Sequence, residues 1–251
     1  MLDAHIHFEK QAYNYDTIYK MIAQALKVGL DEIYLLDHTH KFYEFAPIYQ
    51  PVLKNKDVSN WFNSTNKCSI NEYLAFIKII ESYHFPLKIN FGLEVCYIEE
   101  SEEELRQLLK KYPFSFLIGS VHYIDDFPFD LSKKLWEKQN VDYLYKRYYE
   151  IMKKLIKSDL FTILGHPDSI KLYNYYPRYD LSSTYHEIAH LLKEHKMITE
   201  NNSGLIRYGF SYPGLNPLFY NILKEKEVSI LLSSDAHVAS DIGRVFNQLS
   251  S

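Results

Sequence analysis

Six of the eleven histidines fall in short polar groups, several of them beside an acidic residue. These are His5-Ile6-His7, Asp37-His38, Ser120-Val121-His122, Gly165-His166-Pro167-Asp168 and Ser234-Asp235-Ala236-His237. Glu94, in Gly92-Leu93-Glu94, belongs with them. Neutral imidazole and carboxylate together suit Zn²⁺, Mn²⁺ or Fe²⁺. In an extended strand His5 and His7 point to the same side, so both reach one ion. A carboxylate has two oxygens, so Glu94 has the type to join two cations. Eight ligands (His5, His7, His38, Glu94, His122, His166, Asp235 and His237) exceed the needs of one ion. They lead to the expectation of two or three divalent transition-metal ions.

Each polar group closes a short apolar run. Runs rich in Ile, Val, Leu and Phe occur at 2–7, 32–37, 87–95, 116–121, 162–165, 197–201 and 229–233, separated by segments of helical period. That alternation predicts parallel strands joined by helical crossovers. Asp16 is placed to cap the first helix. Ser69 with Glu72, and Ser101 with Glu104, read as capping boxes, and Asn216-Pro217 as an N-cap and first-turn pair. Residues 39–68 show weak periodicity and many aromatics, and read as a long loop over one end of the fold. Seven strand-helix units predict an α/β fold, a closed (β/α)₇ barrel with one unit fewer than the TIM barrel. An open doubly wound sheet is the alternative. Both put chemistry at the carboxyl ends of the strands, where the polar groups lie. No composition break divides residues 1–251, so one domain is expected.

Composition narrows the function classes. Lys and Arg number 28 against 32 Asp and Glu, a net charge of −4 that does not advertise nucleic-acid binding. Apolar residues are 47%, enough for a large core. No run of 18 apolar residues predicts a membrane span. Cys68 and Cys96 cannot form a disulfide framework or a four-thiolate zinc site. The start MLDAHIHFEK lacks the pattern of a secretory signal, which leads to the expectation of a cytoplasmic protein.

The motifs HIH (5–7), LLDH (35–38), GLE (92–94), SVH (120–122), GHPD (165–168) and SDAH (234–237) resemble those of the PHP superfamily of metal-dependent phosphoesterases. GSVHYIDDFPFD (119–130), LFTILGHPDSIKLY (160–173) and NNSGLIRYG (201–209) are similar to the histidinol-phosphatase type. The resemblance implies a distorted (β/α)₇ barrel and a phosphatase acting on a small phosphomonoester, L-histidinol phosphate, in histidine biosynthesis; the alternatives are a PHP phosphoesterase for another small phosphomonoester, a nucleotide or phosphotyrosine, or a metal-binding module without catalysis. The resemblance implies a first metal on His5, His7, Glu94 and Asp235, and a second on Glu94, His122 and His166. A third would lie on His38 and His237. Many such proteins carry a further histidine about six residues past the His-x-His pair. Residues 8–13 contain none, which leaves Glu9 as an oxygen ligand. The catalytic candidates are Asp235, as a proton shuttle, with Glu94 and His237. Arg207, in NNSGLIR, matches the residue that forks onto the substrate phosphate, chemistry suited to guanidinium. Lys171 and Arg244 are further phosphate-binding candidates. Asp130, Asp168 and Tyr123 have the types to receive an ammonium or imidazole group.

One motif competes. His186-Glu187-Ile188-Ala189-His190 is a literal H-E-x-x-H, the zinc-binding pattern of many metalloproteases. The same segment reads as an outer crossover helix burying Ile188, Ala189, Leu191 and Leu192, and this second reading is preferred.

Overall fold

The computed structural model describes residues 1–8, 11–209 and 214–249. Seven strands form one sheet: β1 (Leu2–His7), β2 (Glu32–His38), β3 (Lys88–Cys96), β4 (Phe116–Ser120), β7 (Ile163–Leu164), β8 (Ile198–Asn202) and β9 (Ile230–Ser233). Between β4 and β7 a small hairpin intervenes, β5 (Tyr123–Ile124) with β6 (Phe127–Pro128). All neighbouring pairs in the large sheet are parallel. Beyond the strand ends, an Ile6–Ala236 bridge and the His7 N–H donating to Ala236 O (2.8 Å) join the last strand's exit to the first strand. The sheet is therefore a distorted, nearly closed barrel, and the open-sheet alternative falls away.

The strands are where the apolar runs place them, within one or two residues. Helices pack around the outside. In α1 (Tyr15–Lys27), Ile18, Met21, Ile22 and Ala25 recur at helical spacing and are buried against the barrel. Burying each of the larger ones is worth about 1.5–3 kcal/mol. The cap of α1 is Asn14, whose side chain accepts from the Thr17 N–H at 2.9 Å; Asp16 sits in the first turn instead. Ser69 and Glu72 form the expected capping box on α3 (Ile70–Ile80). Ser101 makes no side-chain cap on α4 (Glu102–Lys111), because a 3₁₀ turn over Glu99–Ser101 leads into that helix. The remaining major helices are α5 (Val141–Lys157), α6 (Ser182–Glu194) and α7 (Pro217–Glu225), the last capped by Asn216.

Residues 39–68 are more ordered than a loop. They form 3₁₀ turns at Thr39–Lys41, Tyr43–Tyr49 and Val52–Lys54, then α2 (Lys56–Ser64). Phe42, Phe45, Ile48, Tyr49, Val52 and Val58 are buried, so the segment carries its own packing. Among the described residues no helix is long and apolar enough to cross a membrane.

Alternation along the strands sorts side chains into two layers. Ile33, Leu35, Phe91, Leu93 and Val95 pack into the large cluster shared with the helices. The opposite parity faces inward. Low in the barrel it is apolar, with Leu36, Phe116, Ile118 and Ile163 in one cluster. Toward the carboxyl ends it turns polar, with His5, His7, Glu94, Ser120, Glu200 and Asn202 all buried, and Asp3 is a further buried acid near the start of β1.

Candidate metal centre

Glu94 is the hub. It follows from the period of β3 that Glu94 shares the inward face with Asn90 and Gly92, and β2–β3 register pairs it with His38. Its Oε2 lies 3.2 Å from His5 Nε2, 3.3 Å from His7 Nε2 and 3.0 Å from His38 Nδ1. Its Oε1 lies 3.3 Å from His122 Nε2 and 2.9 Å from His166 Nε2. Each oxygen thus faces a different group of imidazoles. Burial alone would push this carboxyl up, but His38 and His5, with hydrogen bonds from His122 and His166, hold it well below the usual range.

Asp235 closes the other side. Its Oδ1 is 3.2 Å from His7 Nε2, 3.4 Å from His237 Nε2 and 3.9 Å from His5 Nε2. Its Oδ2 is 3.3 Å from Arg207 Nη2, and Arg207 Nη1 donates to the Asp235 backbone oxygen. Against burial, Arg207 and the hydrogen bonds from His237 and His7 keep Asp235 well below an ordinary carboxyl, hence anionic. Two backbone features aim these groups. His166 and Asp235 both have positive φ, 23° and 52°, a conformation that costs a non-glycine residue roughly 1–3 kcal/mol. Gly204 leaves room beside Asp235, where a Cβ would sit 2.5 Å from Oδ2.

Three ligand sets result, each with donor atoms within 4.8 Å of one another: His5, His7 and Asp235; Glu94, His122 and His166; His7, His38 and His237. The donors fit divalent cations. His5 and His7 bring their Nε2 atoms to 2.9 Å, and the buried Nδ1 atoms of His7 and His166 have no hydrogen-bond partner among the described residues. The rings converge their inner nitrogens on acidic oxygens, and as neutral imidazoles they would supply the donor chemistry of a multinuclear divalent-metal site. The third set, expected on His38 and His237, includes His7 among the described residues. Glu9, its expected oxygen ligand, lies outside them.

Above the centre opens a cavity of about 610 Å³, within the size range of small-molecule sites. His38, Glu94, His122, His166, Asp235 and His237 form its floor, with Arg207, Asp130, Asp168 and Tyr123 also on its walls. The 39–68 segment contributes His40, Tyr49, Val58 and Trp61. Lys171 and Arg244 are placed elsewhere. The Lys171 ammonium is buried and donates to Asp168 Oδ2 and Gly214 O, both at 2.6 Å. Arg244 is exposed, 3.4 Å from Asp241. Neither is among the described residues that line the cavity. On α6, His186, Glu187 and His190 face outward while Ile188, Ala189, Leu191 and Leu192 are buried.

Sequence reasoning missed two buried acids. Asp3 accepts from Ser234 N–H (2.9 Å), Gly243 N–H (3.0 Å) and His5 N–H (3.3 Å), tying β1 to the segment after β9. Burial pushes its carboxyl up to about 6 against the pull of those donors. Glu200 meets His5 and His166 from the inward face of β8. The available signal was an acidic residue inside a strand on the inward parity, Glu200 at the centre of β8 and Asp3 second in β1.

A family profile described as "PHP domain" matches residues 3–204. A histidinol-phosphatase of Bacillus subtilis is 26% identical over 97% of this chain and 96% of its own length. A solved structure from Listeria monocytogenes, described as a candidate histidinol phosphatase, superposes with a TM-score of 0.80 at 19% identity, covering 98% of this chain and 99% of that one. A histidinol phosphate phosphatase from Lactococcus lactis, solved with zinc, L-histidinol and phosphate, gives a TM-score of 0.69 at 21% identity, covering 95% and 86%.

Proposed function

The chain belongs to the PHP domain family, and we propose that it is a metal-dependent phosphomonoesterase hydrolysing L-histidinol phosphate to L-histidinol and phosphate. The observation that carries the reading is Glu94, one carboxylate whose two oxygens face separate imidazole groups at the floor of a substrate-sized cavity. The names of relatives matched over nearly their whole length support the substrate. In this proposal residues 1–251 form one barrel domain working on a small phosphorylated molecule, with no nucleic-acid or membrane partner. The two free thiols, Cys68 and Cys96, suit a reducing cytoplasm.

His5, His7, Asp235 and Glu94 would hold one ion, Glu94, His122 and His166 a second, and His38 and His237 would take part in a third. When bound, such ions supply Lewis acidity to phosphoryl oxygens and make water more acidic. The chain's own groups do the rest. Arg207 presents guanidinium N–H groups to the cavity from beside Asp235, placed for a phosphate oxygen. Asp235, held anionic, suits an oxygen ligand better than a proton carrier. His237, whose Nε2 lies 3.4 Å from Asp235 Oδ1, borders the cavity as a candidate ligand of that third ion. Asp130 lines the cavity near His122 and His166 and is our choice to receive the substrate ammonium. Asp168 is less available, because its Oδ2 accepts from Lys171 and from the Asn216 N–H.

The test is a panel of phosphomonoesters with added Zn²⁺ or Mn²⁺. Histidinol phosphate should exceed p-nitrophenyl phosphate in kcat/KM by at least about 100-fold, the size of one or two good polar contacts. Equal rates would refute the histidinol assignment while leaving a phosphoesterase.

A further inference from the structure

We propose that Glu200 is a positioning residue that fixes which nitrogen of His5 faces the metal centre and, at the same time, ties down the backbone of His166. The inference rests on the metal-centre reading above. Glu200 is wholly buried, and β8 alternation puts it on the inward face with Ile198 and Asn202. Its Oε1 accepts from the His166 N–H at 2.7 Å and from Asn202 Nδ2 at 2.8 Å. Both carboxylate oxygens face His5 Nδ1, at 3.2 and 3.1 Å. A carboxylate between such donors offers only lone pairs, so the His5 proton stays on Nδ1. The lone pair of Nε2 is then the one aimed at His7 Nε2 (2.9 Å) and past it to Glu94 and Asp235. His5 belongs to one ligand set and His166 to another. One side chain therefore orients a histidine of each, and it also anchors the strained His166 backbone, at φ 23°.

A glutamate that merely filled space would make a different prediction from one that sets a tautomer. Glu200→Gln keeps the volume. Its carbonyl oxygen can stay on the His166 and Asn202 donors, which leaves its NH₂ facing His5 Nδ1. An NH₂ only donates, and the retained oxygen, 3.2 Å from Nδ1, already accepts from His166 and Asn202, so the variant favours neutral His5 with its proton on Nε2 and without the inward lone pair. Glu200→Ala opens a void but permits water to accept from Nδ1.

The experiment is a Zn²⁺ titration of metal-free wild type, Glu200→Gln and Glu200→Ala against a chromophoric chelator, with circular dichroism to confirm folding. Removing such an outer partner of a metal-binding histidine typically costs about 10- to 100-fold in affinity. The expected result is a loss of that size in Glu200→Gln, at least as large as in Glu200→Ala. Glu200→Gln within about threefold of wild type, or clearly better than Glu200→Ala, overturns the positioning role and leaves packing. Wild-type protein that takes up no zinc overturns the metal centre itself. Should both variants fail to fold, long-range ¹H–¹⁵N spectra of zinc-loaded wild type decide the matter. A proton on His5 Nδ1 supports the proposal, and a proton on Nε2 overturns it.

Discussion

Substituting Glu94 by glutamine removes one negative charge and changes little else in shape, which isolates its bridging role. The carboxylate presents Oε2 to His5, His7 and His38 and Oε1 to His122 and His166, all between 2.9 and 3.3 Å. Glutamine can offer an oxygen to one side only. Its NH₂ must face the other and cannot bind a cation. Structural zinc sites hold their ion with about 10–16 kcal/mol, so each of four ligands contributes about 2.5–4 kcal/mol. Loss of the charge weakens one side and loss of the oxygen the other, so two ions should each bind about 100- to 1,000-fold less tightly. His122→Ala touches only the Glu94–His122–His166 set and should weaken one ion alone. Chelator-competition titration with elemental analysis resolves the two cases. Wild type should carry at least two equivalents per chain, and Glu94→Gln should lose both tight equivalents at micromolar free metal. If Glu94→Gln loses one equivalent and holds the other at wild-type affinity, Glu94 serves a single ion and the bridge is refuted.

Arg207→Ala should lower kcat/KM by roughly 30- to 1,000-fold, the cost of about 2–4 kcal/mol for a charged contact to phosphate. Metal stoichiometry should stay constant, since guanidinium cannot be a ligand; unchanged kinetics would deny it the phosphate. Asp3→Ala strands the Ser234 and Gly243 N–H groups, and on metal-free protein at pH 5 should lower stability by about 2–5 kcal/mol in urea titration. Because burial lifts the Asp3 pKa from 3.8 to about 6, that gap should be largest below pH 4 and narrow as pH rises through 6; a gap that widens contradicts the placement. His190→Ala removes a solvent-facing ring from α6 and should leave turnover within a few-fold. Abolished activity would restore the metalloprotease-like reading of 186–190.

Strand positions were legible because parallel strands covered on both faces read as short runs rich in apolar residues, broken only by inward acids such as Asp3 and Glu200, and the groups closing them had nowhere to go but one rim. The six rim histidines, Glu94 and Asp235 meet there. The order within 39–68 was less visible. Its turns are 3₁₀ around Pro47 and Pro51, without the 3.6-residue period that marks a helix, and α2 is nine residues with a mostly polar face. Lys171 was chosen by charge and position after Asp168, but side-chain direction depends on the 3₁₀ turn over Ser169–Tyr173, which aims it at Gly214. Glu200 escaped notice for a different reason. Attention to strand ends favours residues that reach the ions, and a residue that holds another residue lies one layer deeper.

The seal between the first strand and the segment after the last joins groups far apart in the chain, as in the Ser234–Asp3 hydrogen bond across 231 positions. A ribosome adds about 5–20 residues each second, so β1 waits for many seconds before its final neighbour exists. During that interval the nascent chain can complete only the Glu94–His122–His166 set, because Asp235 and His237 have not been made. Metal supplied during synthesis therefore meets a half-built centre. Full loading waits until Asp235 and His237 have been added, and a protein truncated shortly before residue 235 would keep most of its strands yet lack two of the three ligand sets.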